Sequence, residues 1–360
     1  MLKFEYMEKY GYEQLIYLYD RNSGLKGFIC IHNTTLGPAL GGTRVWEYEN
    51  EEEAVLDVMR LARGMTKKAA CAGLNLGGGK AVIIGNSKAL RKDTVKREAF
   101  WRAFGRYVDS LGGRFITAED VGTSPLDMNL VKMETDHVMG LPTTSGDPSP
   151  FTAHGVLKGI KACVKEEIGT SKLEGIKVAI SGVGHVGAVL ADLLHEEGAI
   201  LYISDIDEEA LKEVSEKTGA TIVDKDIIHT LDVDVYAPCA LGATLNDKTI
   251  PYIKAKIIAG SANNQLEDTN KHGLMLHELG IVYAPDYVIN AGGLINVYQE
   301  KIGYNKEASM HAIDLIYDRI REIIRESKDS NTPSYLVAER MAERRIEMMS
   351  KISSIHIATK

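Results

Sequence analysis

Cysteine is scarce in this 360-residue chain. Its four cysteines, Cys30, Cys71, Cys163 and Cys239, stand far apart, with no C-x-x-C pair and no histidine at ligand spacing. Neither disulfides nor a structural metal site is expected from that pattern. Long apolar runs are also missing. No stretch approaches membrane-spanning length, and the opening MLKFEYMEKYGYEQ lacks the apolar segment of a signal peptide, so a cytoplasmic location without a membrane partner is expected. Nor does charge of one sign dominate: 42 Lys and Arg face 50 Asp and Glu, a net charge of -8. These charges are scattered, which argues against a nucleic-acid partner and leaves small molecules as the expected ones. Internal repeats and low-complexity tracts are absent too, excluding a solenoid.

What remains is an ordinary globular composition, 44% hydrophobic and 26% charged, on a chain longer than one core usually supports. Two α/β domains are expected. The segment LPTTSGDPSP, rich in proline, glycine and hydroxyl residues, reads as the connection between them, placing a first domain at 1–145 and a second at 146–330. In the first, LKGFICIHN alternates like a half-buried strand, an amphipathic helix starts at Asn50 and runs to about Ala70, and KAVIIG and RFITAED read as strands flanking a helix. In the second, KVAISG, LYISD, VDVYAP, KIIAGS and IVYAP are short apolar runs separated by helical patterns, the signature of a parallel, doubly wound sheet. Helices at Glu307–Ser327 and Pro333 to about Ser350 end the chain, and residues 331–360 are expected to pack back on the first domain.

After KVAISG stand Gly182, Gly184 and Gly187 in G-x-G-x-x-G spacing, with His185 and Val186 opening a helix. Such a turn lets backbone N–H groups approach a pyrophosphate. Asp205 follows at the end of the next strand, the distance at which a carboxylate meets the adenosine ribose. The bland alternative is a plain strand-to-helix turn. Asp207, Glu208 and Glu209 follow with no cation to receive a 2'-phosphate, so the expected cofactor is NAD. Asp207 is read as the cap of the next helix. Cys239, Ala240 and Ala262 lie where later strands end, facing the same crevice or simply packing.

The most unusual segment is GMTKKAACAGLNLGGGKAVI, with Lys68 closing a helix and Lys80 following three glycines. A phosphate-binding G-x-x-x-x-G-K-[ST] loop is excluded, since position 74 is Leu and Ala81 follows the lysine. An amino acid oxidised at its alpha carbon needs a fixed cation for its carboxylate and a neutral amine as base. Lys68 and Lys80 could supply these, with Asp120 in TAEDVGT moving protons at nitrogen. Either lysine could equally be a solvated surface charge.

The segments GPALGGTR, RGMTKKAACAGLNLGGGKAVI, TAEDVGT, SPFTAHGV, GSANNQL and APDYVINAGGLINV, in this order, resemble the glutamate/leucine/phenylalanine/valine dehydrogenase family across essentially the whole chain. The resemblance is closest to its members acting on leucine. It implies an N-terminal α/β domain with a mixed sheet for substrate binding and oligomerisation, a Rossmann-type NAD domain, and an active site in the cleft between them. It also assigns roles: Lys68 to the substrate carboxylate, Lys80 as general base for water, Asp120 for proton transfer at the amine, and Gly41 and Gly42 to the cleft lining. Thr152 would contact the nicotinamide carboxamide, and Asn263 and Asn264 would fall near nicotinamide and substrate, their division of labour left open. The side-chain pocket would be Leu40, Ala118, Leu294 and Val297. In the glutamate enzymes a lysine stands at the position of Leu40, so an anionic substrate would lack a partner here.

The expected reaction is thus reversible NAD-dependent deamination of leucine and its branched relatives. Phenylalanine as substrate, or a non-catalytic NAD sensor, are the alternatives. The family expectation for assembly is a homo-octamer.

Overall fold

The computed structural model describes residues 3–141 and 144–352. The chain parts into two compact units, Met1–Gly146 with Ala342–Lys360, and Asp147–Met341. Unit one runs α1 (Lys3–Tyr10), β1 (Gln14–Asp20), β2 (Leu25–Asn33), β3 (Ala39–Trp46), α2 (Glu51–Cys71), β4 (Gly77–Ile84), α3 (Ser87–Leu90), α4 (Thr94–Asp109), β5 (Phe115–Glu119) and α5 (Pro125–Lys132). Its mixed sheet has the order β1-β2-β4-β3-β5. Strand β3 is parallel to β4 and β5, while β2 is antiparallel to β1 and β4.

Strand β2 is not half-buried as its alternation predicts; most of it is buried on both faces. Ile29 and Ile31 join a core with Phe100, Trp101 and Phe104 of α4, whereas Phe28 and Cys30 pack with Val55, Val58 and Met59 of α2. A helix on each side leaves no wet face, and the apolar content of the strand follows from that.

Helix α2 begins where the sequence predicts. The Asn50 side chain accepts from the Glu53 N–H, and Glu51, Glu52 and Glu53 occupy the first turn, where carboxylates oppose the positive end of the helix dipole. At the other end, Arg345 donates to the carbonyls of Ala70 and Leu74 at 3.0 and 2.8 Å, a cation at the negative end. Between them, His32 accepts at Nδ1 from the Thr66 hydroxyl at 2.8 Å and donates from Nε2 to the Tyr10 carbonyl at 3.0 Å. The carbonyl can only accept, which fixes the tautomer. Burial pulls the imidazole down to about 4, so it ties α2 to β2 as a neutral group.

The glycine run is strand, not loop: Gly77, Gly78 and Gly79 open β4, and none has positive φ. The reason for them is steric. A Cβ on Gly78 would stand 2.1 Å from the Thr66 nitrogen, and one on Gly77 1.9 Å from the Asn33 carbonyl oxygen. Helix and neighbouring strand approach closer here than any side chain permits.

Unit two runs α6 (Ser149–Ile168), β6 (Lys177–Ser181), α7 (His185–Glu196), β7 (Ile200–Ser204), α8 (Glu208–Thr218), β8 (Thr221–Ile222), β9 (Val235–Pro238) and β10 (Ile257–Ile258). It continues through α9 (Thr269–Glu278), β11 (Val282–Tyr283), α10 (Asp286–Ile289), α11 (Gly292–Ile302), α12 (Lys306–Asp314) and α13 (Ile316–Ser330), and ends in α14 (Ser334–Ser350), which belongs to unit one from Ala342 onward. Six parallel strands lie in the order β11-β10-β9-β6-β7-β8. This is the doubly wound order, with its switch point between β6 and β9. The single helix predicted over Glu307–Ser327 is instead two, α12 and α13, meeting at Leu315; the second continues to Ser330 and ends on Asn331 in the left-handed conformation at φ 48°. Among the described residues no helix is long and apolar enough to cross a membrane.

The steric account separates two glycines on the same packed layer. Gly78→Ala forces α2 off β4 and should cost about 2–3 kcal/mol or more. Gly64→Ala, in mid-α2 with nothing near its added methyl, should stabilise by about 0.5–1 kcal/mol. Urea unfolding of both variants checks this, and equal effects would sink it.

Candidate active site

Three parallel neighbours bring the first group of residues together. Gly41 and Gly42 lie on β3, Lys80 on β4, and Asp120 directly after β5. The β3–β4 ladder is registered at Leu40↔Gly78 and again at Thr43↔Ala81. Between these points a Cβ on Gly41 would lie 1.8 Å from the Gly79 carbonyl oxygen, and one on Gly42 2.8 Å from Cβ of Asp120. Bare backbone therefore lets Lys80 and Asp120 converge.

Lys80 is 5% exposed, and its Nζ lies 2.9 Å from Asp120 Oδ2. The same oxygen accepts from Arg44 Nε at 3.2 Å. Arg44 also donates from its NH1 nitrogen to Asp57 Oδ2 at 3.0 Å, an oxygen that receives the Tyr48 hydroxyl at 2.6 Å. Arg60 reaches Asp57 Oδ1 at 2.9 Å. Two carboxylates thus alternate with three cations, Lys80, Arg44 and Arg60, across β3, β4, α2 and the turn after β5.

This arrangement sets opposite pressures on the central pair. Burial lowers the Lys80 ammonium below its ordinary value, and Arg44 adds to that, while Asp120 and Asp57 hold it up. For Asp120, burial pushes the carboxyl up, but Lys80 and Arg44 outweigh it and keep it below the usual carboxylate range. A buried amine made easier to deprotonate, beside a carboxylate held ionised, can exchange protons with a bound molecule.

Of the other residues predicted for the substrate, Lys68 is half-buried in the last turn of α2, Leu40 is buried, and Ala118 is half-buried at the end of β5. Leu294 and Val297 lie on α11 in unit two; both are half-buried, while Ile295, Asn296 and Gln299 form that helix's buried side. They do not belong to its core stripe.

In unit two the glycine loop divides its work among three residues. Gly182 has φ 102°, and a Cβ there would meet Ala240 at 2.6 Å. On Gly187 a Cβ would lie 2.0 Å from the Gly182 carbonyl oxygen and 3.5 Å from Cys239. Gly184 meets nothing. It forms the N-cap of α7 without a side-chain cap, so the first-turn N–H groups, on exposed His185 and half-buried Val186, face open space where a phosphate can bind. Asp205 accepts the Val183 N–H on Oδ2 at 2.6 Å and those of Ile206 and Asp207 on Oδ1, which ties the loop to the end of β7. Asp207 caps α8, accepting from Glu209 and Ala210. The residues present fit a dinucleotide: an uncapped helix N-terminus, room above Gly184, and acidic residues after β7.

The remaining predicted residues frame the ends of later strands. Cys239 donates its N–H to the Ser181 carbonyl at 2.7 Å and Ala262 to that of Pro238 at 3.0 Å. Asn263 and Asn264 are exposed; the first accepts from Asn290 at 2.8 Å, and the second, at φ 51°, accepts the Ala243 N–H through its carbonyl. Thr152, in the first turn of α6, bonds the Pro148 carbonyl at 3.0 Å and lies against Gly293. Sequence reading did not single out Arg44, Tyr48, Asp57 or Asn290. Arg44 was within sight, two residues after the glycine pair, but its partner on α2 is 13 residues away.

Residues 15–137 match the family model described as Glu/Leu/Phe/Val dehydrogenase, dimerisation domain, and residues 202–332 match Glutamate/Leucine/Phenylalanine/Valine dehydrogenase. The chain is 56% identical to a leucine dehydrogenase from Bacillus subtilis (strain 168) over 98% of its own length and 96% of the relative's. It is 44% identical to a phenylalanine dehydrogenase from Bacillus thermotolerans, covering 97% and 91%. The crystal structure of L-tryptophan dehydrogenase from Nostoc punctiforme superposes with a TM-score of 0.87 at 46% identity, covering 97% of this chain and all of that one.

Removing the shared carboxylate tests the pair itself. Asp120→Asn leaves two cations facing each other and should cost about 3 kcal/mol at pH 7. Without its anion, folded Lys80 sheds its proton far below the value it keeps when unfolded. The unfolded variant then binds more protons, so the variant gains stability as pH rises. Urea unfolding of parent and variant from pH 7 to 10 should show the gap narrowing; a constant gap would mean the pair is not charged.

Proposed function

Because the chain belongs to the Glu/Leu/Phe/Val dehydrogenase family, we propose that it reversibly deaminates L-leucine and other branched-chain L-amino acids with NAD. It is an amino acid dehydrogenase, an oxidoreductase acting on CH–NH2 groups. The observation that carries the proposal is the buried Lys80–Asp120 pair in its glycine cradle.

On this reading Lys68 holds the substrate carboxylate by its fixed charge, and Asp120 takes a proton from the amine. Bound NAD, held at Gly182, Gly184, Gly187 and Asp205, supplies the acceptor for hydride from the alpha carbon. Lys80, neutral when it acts, takes a proton from the water that attacks the resulting substrate imine. Asp120 then returns a proton to nitrogen as ammonia leaves. The balance is amino acid, NAD and water to 2-oxo acid, ammonium, NADH and a proton. Leu40 supports an apolar substrate, since a buried anionic side chain beside it would lack a cation. The acidic run Asp205–Glu209, broken only by Ile206, supports NAD over NADP. Relatives named for phenylalanine and tryptophan make aromatic substrates the competing outcome. Assembly as a homo-oligomer is part of the same proposal, supported by the dimerisation-domain description of the model over residues 15–137.

The test is NADH absorbance with leucine, isoleucine, valine, phenylalanine, tryptophan and glutamate, with NADP in parallel. Branched substrates with NAD should lead, and the rate should climb with pH as Lys80 loses its proton. Lys80→Ala should lose about 10²- to 10⁴-fold with the fold retained. A lead for tryptophan or phenylalanine would overturn the substrate assignment; cofactor binding without turnover of any amino acid would point to a sensor.

A further inference from the structure

Lys80 and Asp120 do not stand alone in unit one: a second carboxylate of similar burial stands behind Arg44. Asp57, on α2, has a side chain only 14% exposed, yet it lies outside the pair and receives three donors: Arg44, Tyr48 and Arg60. Arg44 is the link. Its Nε goes to Asp120 Oδ2 and its NH1 nitrogen to Asp57 Oδ2, so the planar guanidinium is oriented by both carboxylates at once. The consequence falls on Asp120. Both cations converge on Oδ2, and Oδ1 has no protein partner among the described residues, on a side chain that is 23% exposed.

We propose that Asp57 is a positioning residue for the reaction: through Arg44 it fixes the Asp120 carboxylate by Oδ2 and leaves Oδ1 for the incoming amine. The proposal rests on the reading of Lys80 and Asp120 as the catalytic pair. Without Asp57, Arg44 loses its anchor on α2 and its charge falls wholly on Asp120, in competition with Lys80. Lys80 is faced by Asp120 from the turn after β5, Arg44 from β3, Asp57 from α2 and the neutral thiol of Cys30 across the β2 ladder. Loss of Asp57 removes one of the two anions and strengthens the hold of Arg44 on the other. Both changes make the Lys80 ammonium easier to deprotonate.

Asp57→Asn, nearly isosteric, should shift the Lys80-dependent limb of the pH profile of kcat/KM down by about half to one pH unit. It should lower kcat more than it changes KM. Asp57→Glu should restore part of both. A merely structural Asp57 would lower activity with the limb in place, and that result overturns the proposal. A second readout does not need turnover: the thermal shifts caused by Asp57→Asn and Lys80→Met should be non-additive, with Asp57→Asn less damaging once the ammonium is gone. Additive shifts overturn the proposal even if the substrate reading also fails. Coupled shifts with no deamination by the parent would uphold the Asp57–Lys80 link and place the fault in the reading of the reaction.

Discussion

An ammonium as buried as that of Lys80 persists only beside a carboxylate, and unit one is arranged around that requirement. Taking both charges out of water costs several kcal/mol per ion, which their attraction recovers only with good geometry and further hydrogen bonds. Asp120 supplies the geometry at 2.9 Å, and Arg44 supplies a further bond to the same oxygen. To bring Lys80 in mid-strand and Asp120 beyond a strand end within that distance, β3 and β4 must approach without side chains. Hence Gly41 and Gly79 meet as bare backbone, and Gly42 lies directly under Asp120. A hydrophobic pair of the same volume would be cheaper to bury. That the chain keeps ions here is itself an argument for chemistry rather than stability.

Glycine works differently in the two units. In β4 it buys proximity between secondary elements at ordinary backbone angles. In the loop after β6, Gly182 is required by its left-handed φ and by Ala240, Gly187 by helix-to-loop contact, and Gly184 by nothing in the protein. A residue without an internal reason to be small, at the uncapped start of a helix, points outward to a ligand. The distinction makes the fit to a dinucleotide a physical statement, independent of the spacing of the motif.

Those differences also mark how far the sequence could be read. The dinucleotide loop was legible because its spacing, strand, helix and acid are local, and the helix ends at Asn50 and Asp207 because capping is local too. The three glycines before Lys80 were visible, but the reason for them, the proximity of Thr66 and Asn33, is a tertiary fact. Burial of β2 on both faces depends on α4, some 70 residues later, and so escaped its alternation. Arg44 and Asp57 were illegible as partners because they join a strand to a helix, a pairing that no periodicity encodes. The break at Leu315 carries no proline or glycine to announce it.

Substrate choice is the point at which sequence likeness discriminates least. Rejecting a charged side chain is easy beside a buried apolar residue such as Leu40, since an unpaired buried carboxylate is costly. Choosing among apolar side chains is harder, because a methylene more or less is worth only about 1–3 kcal/mol. A difference of that size can come from apolar side chains alone, without touching Lys80, Asp120 or the glycine cradle. Relatives at 44–56% identity carry names for leucine, phenylalanine and tryptophan, so overall likeness marks the family more sharply than it separates the family's substrates.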